Sequence, residues 1–271
     1  MLARASLVGA LALFAGLAAP RHADAQSSDV AAPTRAPFSI DIGAFHESLD
    51  NGYSDWDGVD ARVMYTGSPA SPFASASTQR RREGSQTSYG LGSYLTINRH
   101  FYTIADFSVA TGGTAVFYPR LRWNVSLVSD TRVVPGLVLV TGYSNFSFGG
   151  GSSGSIVSVG PIWYHGPLIL SGAVHVNHDD AGGATTASGE VGGQYGAEGR
   201  QWLGASLSGG REAYEILAVN PLDVRFTNVG GALFYERWLT TRTAVTARVE
   251  YQDKRTAYQR RGLTLSYHVA F

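Results

Sequence analysis

The run His175-Val176-Asn177-His178-Asp179-Asp180 gathers more groups able to hold a metal or move a proton than any other part of the chain. In an extended backbone successive side chains point to opposite faces, so His175 and Asn177 share one face and His178 takes the other. Two imidazoles placed that way do not converge on one ion, and no metal site is assigned. Asp179 and Asp180 could still hold a divalent cation shared with lipopolysaccharide phosphates, although a solvated loop is the preferred account of them. Ser266 and His268 are the right types for a nucleophile and its base, two residues apart on one strand face. No local pattern around Ser266 sharpens that idea, so no catalytic residue and no cofactor are assigned. The glycine runs at Gly149-Gly150-Gly151, Gly182-Gly183, Gly192-Gly193 and Gly209-Gly210 do not open a helix after a buried strand, as a phosphate-binding loop must.

The elements that must position these groups are strands. The chain carries 21 basic and 21 acidic residues, which removes any bulk electrostatic reason to bind nucleic acid. Only 15% of residues are charged, against roughly 25% in ordinary soluble domains. With no cysteine, the chain has no disulfide, no thiolate ligand and no lipidated N-terminal cysteine. Residues 1–25 read as a secretory signal peptide: Arg4 precedes an apolar run that is too short to span a bilayer, and Ala23-Asp24-Ala25 fits a cleavage site. Residues 26–36 read as a flexible lead-in.

From Pro37 to Phe271 the dominant signal is alternation with period two. Leu263, Leu265, Tyr267, Val269 and Phe271 oppose Thr264, Ser266, His268 and Ala270. Val245, Ala247, Val249 and Tyr251 oppose Thr246, Arg248, Glu250 and Gln252 in the same way, and Phe117, Leu121, Trp123 and Val125 oppose Arg120, Arg122 and Asn124. About fourteen such segments occur, near 37–48, 55–66, 73–80, 85–97, 99–109, 116–127, 132–146, 154–164, 167–178, 185–196, 200–209, 224–237, 241–252 and 261–271. Twelve or sixteen strands would also be tolerable. Short connections (Asn98-Arg99, Ser129 to Thr131, His165-Gly166, Glu198-Gly199, Thr240-Thr241) alternate with longer ones (Glu47 to Tyr53, Gln79 to Ser85, Gly149 to Gly154, His178 to Gly183, Gly209 to Asp223, Asp253 to Gln259).

Such alternation of loop length is the asymmetry of outer-membrane barrels, with short turns on the periplasmic side. In a soluble sandwich the apolar face points inward; in a membrane barrel it points to lipid. Isolated charges among small residues on the polar face suit a wet interior. The expectation is therefore an all-β chain closed into an antiparallel transmembrane barrel in the bacterial outer membrane. Its lumen-facing candidates are Asp60, Arg62, Arg120, Arg122, His175, Glu190, Arg248, Glu250 and His268. Aromatics at segment ends (Tyr65, Trp123, Tyr143, Trp163, Tyr164, Trp202, Tyr235, Trp238, Tyr251) are expected at the lipid headgroups. Arg80-Arg81-Arg82-Glu83 and Lys254-Arg255 with Arg260-Arg261 are expected in long outer loops, facing lipopolysaccharide phosphates or water. Arg120 and Arg122 would bias a pore toward anions, unless they pair internally with Asp41, Asp60, Asp106, Glu190, Glu236 or Glu250. A terminal strand ending in Phe271 is expected to engage the barrel-assembly machinery.

The stretch from Gly142-Tyr143 through Ser155-Ile156-Val157-Ser158-Val159-Gly160-Pro161-Ile162-Trp163-Tyr164, then Leu168 to His178 and Ser206-Leu207-Ser208-Gly209-Gly210-Arg211-Glu212-Ala213-Tyr214-Glu215, resembles the YaiO family of outer-membrane barrels. That resemblance implies a barrel of poorly defined activity, in some members associated with surface-polysaccharide production. Larger members carry a helical repeat ahead of the barrel; no such repeat is read before Pro37. The function expected is passage or surface handling of a polar solute or polysaccharide without catalysis. Two alternatives stay open: a barrel hydrolase acting on lipid or peptide, and a secreted carbohydrate-binding sandwich.

Overall fold

Each of the alternating segments becomes a strand in the computed structural model, which describes residues 36–111, 118–149, 152–180, 182–212, 226–255 and 257–271. The signal peptide, most of the lead-in, Phe117 and residues 213–223 of the expected Gly209–Asp223 loop lie outside the described residues. In chain order the strands are β1 (Phe38–Leu49), β2 (Trp56–Tyr65), β3 (Ala70–Arg81), β4 (Gly84–Asn98), β5 (Phe101–Ala110), β6 (Leu121–Asp130) and β7 (Leu137–Gly149). They continue as β8 (Ser152–His165), β9 (Leu168–Asp179), β10 (Thr185–Ala197), β11 (Gln201–Glu212), β12 (Phe226–Trp238), β13 (Thr243–Asp253) and β14 (Gln259–Ala270). Each strand pairs antiparallel with its sequence neighbour, and β1 pairs with β14 to close the barrel. Closure runs from Ser39 opposite Ala270 to Leu49 opposite Arg260, and Phe271 N donates to Phe38 O at 2.9 Å. No edge is left, as a sheet surrounded by hydrocarbon requires.

The outer face is apolar. Leu263, Leu265 and Val249 are 45%, 56% and 50% exposed, while Thr264 and Arg248 take the inner face. This orientation excludes the packed sandwich. The largest edge shifts are in β6 and β7, which start at Leu121 and Leu137 instead of near 116 and 132. Pro119 and Pro135, which cannot donate to a ladder, stand just ahead of each start. The β8–β9 hairpin turns through Gly166-Pro167, with Gly166 at φ 56°, a left-handed conformation that glycine adopts without a side-chain clash.

Loop lengths are less regular than expected. At the end opposite the termini, called the loop end here, β3 and β4 are joined by Arg82-Glu83 alone. The expected long loop from Gln79 is mostly strand, because the β3–β4 ladder continues to Arg81 opposite Gly84. At the terminus end, residues 131–136 form a wider turn than expected, closed by Thr131 N donating to Leu137 O at 3.2 Å.

The aromatic girdle also needs correction. Tyr65, Trp123, Tyr143, Tyr235 and Tyr251 are exposed on the outer face, but Tyr164, Trp202 and Trp238 fall on the inner-facing positions of their strands. Strand parity, more than nearness to a strand end, decides which side a ring takes.

Candidate functional site

The inner wall is the candidate site, because it is where the polar side of every strand converges. At mid-height it is made of small hydroxyl side chains separated by glycine. Ser75, Gly90 and Ser108 are cross-strand neighbours on β3–β5; Ser126, Gly142 and Ser158 repeat the pattern on β6–β8, and Ser171, Gly192 and Ser206 on β9–β11. A Cβ added at Gly142 would lie 2.6 Å from Ser158 Oγ and 3.0 Å from Ser126 Oγ, so glycine lets the two hydroxyls stand side by side.

Charge is concentrated on one side, on β12–β14 and β1–β3. Near the loop end an ion-pair ladder runs from Arg248 Nε to Glu250 at 3.3 Å, from Glu250 to Arg260 at 3.3 Å, and from Arg260 to Glu47 at 3.4 Å. Arg81 lies 3.8 Å above the Trp56 ring, and its guanidinium donates to Gln79 Oε1 at 3.1 Å. Tyr258 packs edge-on against Trp56, and Tyr53 against Tyr258. Two loops are tied together over this cluster: Asn51 Nδ2 donates to Ala257 O at 3.1 Å and Gln259 N to Asp50 Oδ1 at 2.6 Å. Tyr118, from the loop after β5, reaches Ser77 Oγ at 2.9 Å. Burial pushes its phenol above the ordinary range, so it serves as a neutral hydrogen-bonding group.

This corrects two expectations about outer loops. Lys254 is only 2% exposed and Arg81 and Arg260 are buried, so these three cations belong to the inner cluster. Arg80, Arg82, Arg255 and Arg261 remain exposed. No spacing rule reveals a loop folding back over Trp56; the nearest signal is Trp56 itself, a large ring on a polar-facing parity.

Lower on the same side, His268 Nδ1 stands 2.7 Å from Asp41 Oδ1, and the Trp238 ring packs edge-on against His268 while its Nε1 donates to Glu236 Oε1 at 2.9 Å. Arg62 donates to Tyr94 OH at 3.1 Å and stacks 4.0 Å above Phe73. Asp60 takes the same inner face beside Gly43. Elsewhere charges are sparse. His175 Nε2 lies 3.6 Å from Glu190 Oε1, and Arg122 Nε donates to Asn124 Oδ1 at 3.1 Å, with Asn124 donating in turn to Asp106 at 2.7 Å. Arg120 sits exposed ahead of β6, not within a strand, since the ladder with β5 ends at Leu121. For Arg248 and Arg260, internal pairing is what the structure contains.

His178 faces outward toward Thr185 and Asp180, so it does not join His175, and among the described residues no cluster of metal ligands occurs. Ser266 and His268 share the inner face, yet among the described residues no hydrogen bond joins them.

The sequence patterns that mark polar inner positions did not point to a second inner cluster, which is apolar. Tyr102, Val128, Val140 and Ile162 are buried together at the terminus end of β5–β8, with Ile104, Val138, Tyr164 and Ile169 packed around them. Val128 is 0% exposed. This cluster faces the same lumen as the ion-pair ladder, from the opposite wall and the opposite end.

A family model described as the YaiO membrane beta barrel domain matches residues 37–215. No curated protein matches the chain. Among solved structures the barrel is similar to the CymD monoaromatic hydrocarbon channel, with a TM-score of 0.59 and 10% identity over 88% of this chain and 89% of that one. It is similar to Omp33 of Acinetobacter baumannii, with a TM-score of 0.55 and 11% identity over 88% and 99%. The COG4313 outer-membrane channel of Pseudomonas putida F1 gives 0.55 and 10% over 91% and 99%. At these identities the likeness is one of fold.

Proposed function

The chain belongs to the YaiO membrane β-barrel family, a barrel of the bacterial outer membrane, and from that premise we propose that its lumen passes small polar solutes without chemical change. The supporting observation is the inner wall: belts of serine and glycine at mid-height, with acidic and basic side chains gathered on β12–β14 and β1–β3. Hydroxyls and small residues offer exchangeable hydrogen bonds to water and to sugar hydroxyls without binding either tightly enough to hold it. The Glu47–Arg260–Glu250–Arg248 ladder then sets which charge passes. The exposed arginines Arg80, Arg82, Arg255 and Arg261 at the loop end are assigned to contacts with lipopolysaccharide phosphates, and β14 together with the adjoining Phe271 to the barrel-assembly machinery.

The test is planar-bilayer recording of refolded protein. Discrete conductance steps are expected, with an ion selectivity that shifts when Arg260 is replaced by Met. Silence at every voltage from protein shown to be folded by heat-modifiable gel mobility would overturn the proposal.

A further inference from the structure

Across β12, β13, β14, β1 and β2 the lipid-facing surface dips into an open groove of about 480 Å³. Its floor is set by Ala44 and Ala247, which stand in one cross-strand row with Tyr235 and Leu265; Ile42 and Tyr267 rise beside them. Its side-chain lining is chiefly the outward apolar band (Ile42, Ala44, Val59, Val245, Ala247, Leu265), so the groove takes a hydrocarbon occupant. At its terminus-end margin, Arg237 is the cross-strand partner of the groove residue Val245. Arg237 Nη1 donates to Gln201 Oε1 at 3.0 Å, and the Tyr235 hydroxyl donates to the same oxygen at 3.2 Å. Arg200 and Arg242 lie exposed in the adjoining terminus-end turns, with Glu198 also exposed in the first of these. An apolar trough ending at an arginine-rich rim matches an acyl chain joined to a phosphate.

We propose that this groove and rim seat one phospholipid with an anionic headgroup, in the leaflet at the terminus end. The short-turn side of an outer-membrane barrel is periplasmic, so the seat lies in the leaflet that lipopolysaccharide does not occupy. A second copy of the chain is a poorer match, because a stable interface needs about 800 Å² from each partner and the trough is bounded by the Tyr235 and Tyr267 rings.

Native mass spectrometry of the full refolded chain in detergent, with phosphatidylglycerol or phosphatidylcholine added, tests the seat. One phosphatidylglycerol is expected to stay bound in preference to phosphatidylcholine. Arg237→Gln is expected to weaken phosphatidylglycerol about fivefold, the scale of one basic side chain at a membrane surface, and to leave phosphatidylcholine unchanged. Ala247→Phe, which fills the trough from the lipid side, is expected to weaken both lipids; Ala44→Phe is the second variant should the first fail to fold. Equal retention by folded Ala247→Phe or Ala44→Phe and by the parent overturns the proposal. So does indifference to headgroup, or a dimer peak in place of bound lipid.

Discussion

The two clusters inside this barrel solve the same problem by different means. At the terminus end of β5–β8, Tyr102, Val128, Val140 and Ile162 bury apolar surface against one another. At the loop end of β1–β3 and β13–β14, Arg81 and Arg260 lie over the Trp56 ring, and Arg260 pairs with Glu47 and Glu250. Apolar packing is non-directional and degrades in proportion to the atoms removed. A buried ion-pair ladder depends on every member, since removing one partner leaves the other desolvated and unpaired. The first arrangement suits a part of the wall that only has to hold shape. The second places interacting acidic and basic side chains on the inner wall, which is the arrangement the proposed charge selectivity draws on.

That contrast can be broken in four steps of decreasing size. Val128→Asp places an unpaired carboxylate at a fully buried position, and loss of the heat-modifiable folded species is expected on gels. Arg260→Met leaves Glu47 and Glu250 without their shared partner; urea titration of the lipid-embedded barrel is expected to show a loss of about 3–5 kcal/mol, accompanied by altered ion selectivity. Ile162→Val in the apolar cluster is expected to cost about 1 kcal/mol with selectivity untouched. The smallest effect is the coupling between the clusters: in the Arg260→Met, Ile162→Val double variant the two losses are expected to add to within about 0.5 kcal/mol, because the clusters share no partner; a larger coupling would show that they form one unit.

Strand number, strand order and the outward apolar face were all legible in the sequence, because period-two alternation is a local signal that closure merely repeats. The charged inner residues were legible one at a time: Arg248 with Glu250 by parity, Asp60 and His268 by face. Their partners were not, because Glu47 meets Arg260, and Asp41 meets His268, only after the last strand returns to the first. The burial of Lys254 was hidden for the same reason, since the loop that carries it is fixed by hydrogen bonds to Asn51 and Asp50 from the other end of the chain. The apolar cluster did leave a trace. In Leu137-Val138-Leu139-Val140 and Leu168-Ile169-Leu170 both parities are apolar, which is how a strand with two apolar faces reads.

The most direct test of the whole account is spin-label accessibility along β14 and β13. The chain has no cysteine, so single-cysteine variants carry the label at one place only. In lipid vesicles, labels at Leu263, Leu265 and Val249 are expected to be relaxed by oxygen dissolved in the bilayer, and labels at Thr264, Ser266 and Arg248 by a water-soluble nickel complex. The opposite pattern, with Leu265 shielded from lipid and Thr264 meeting it, would contradict the account.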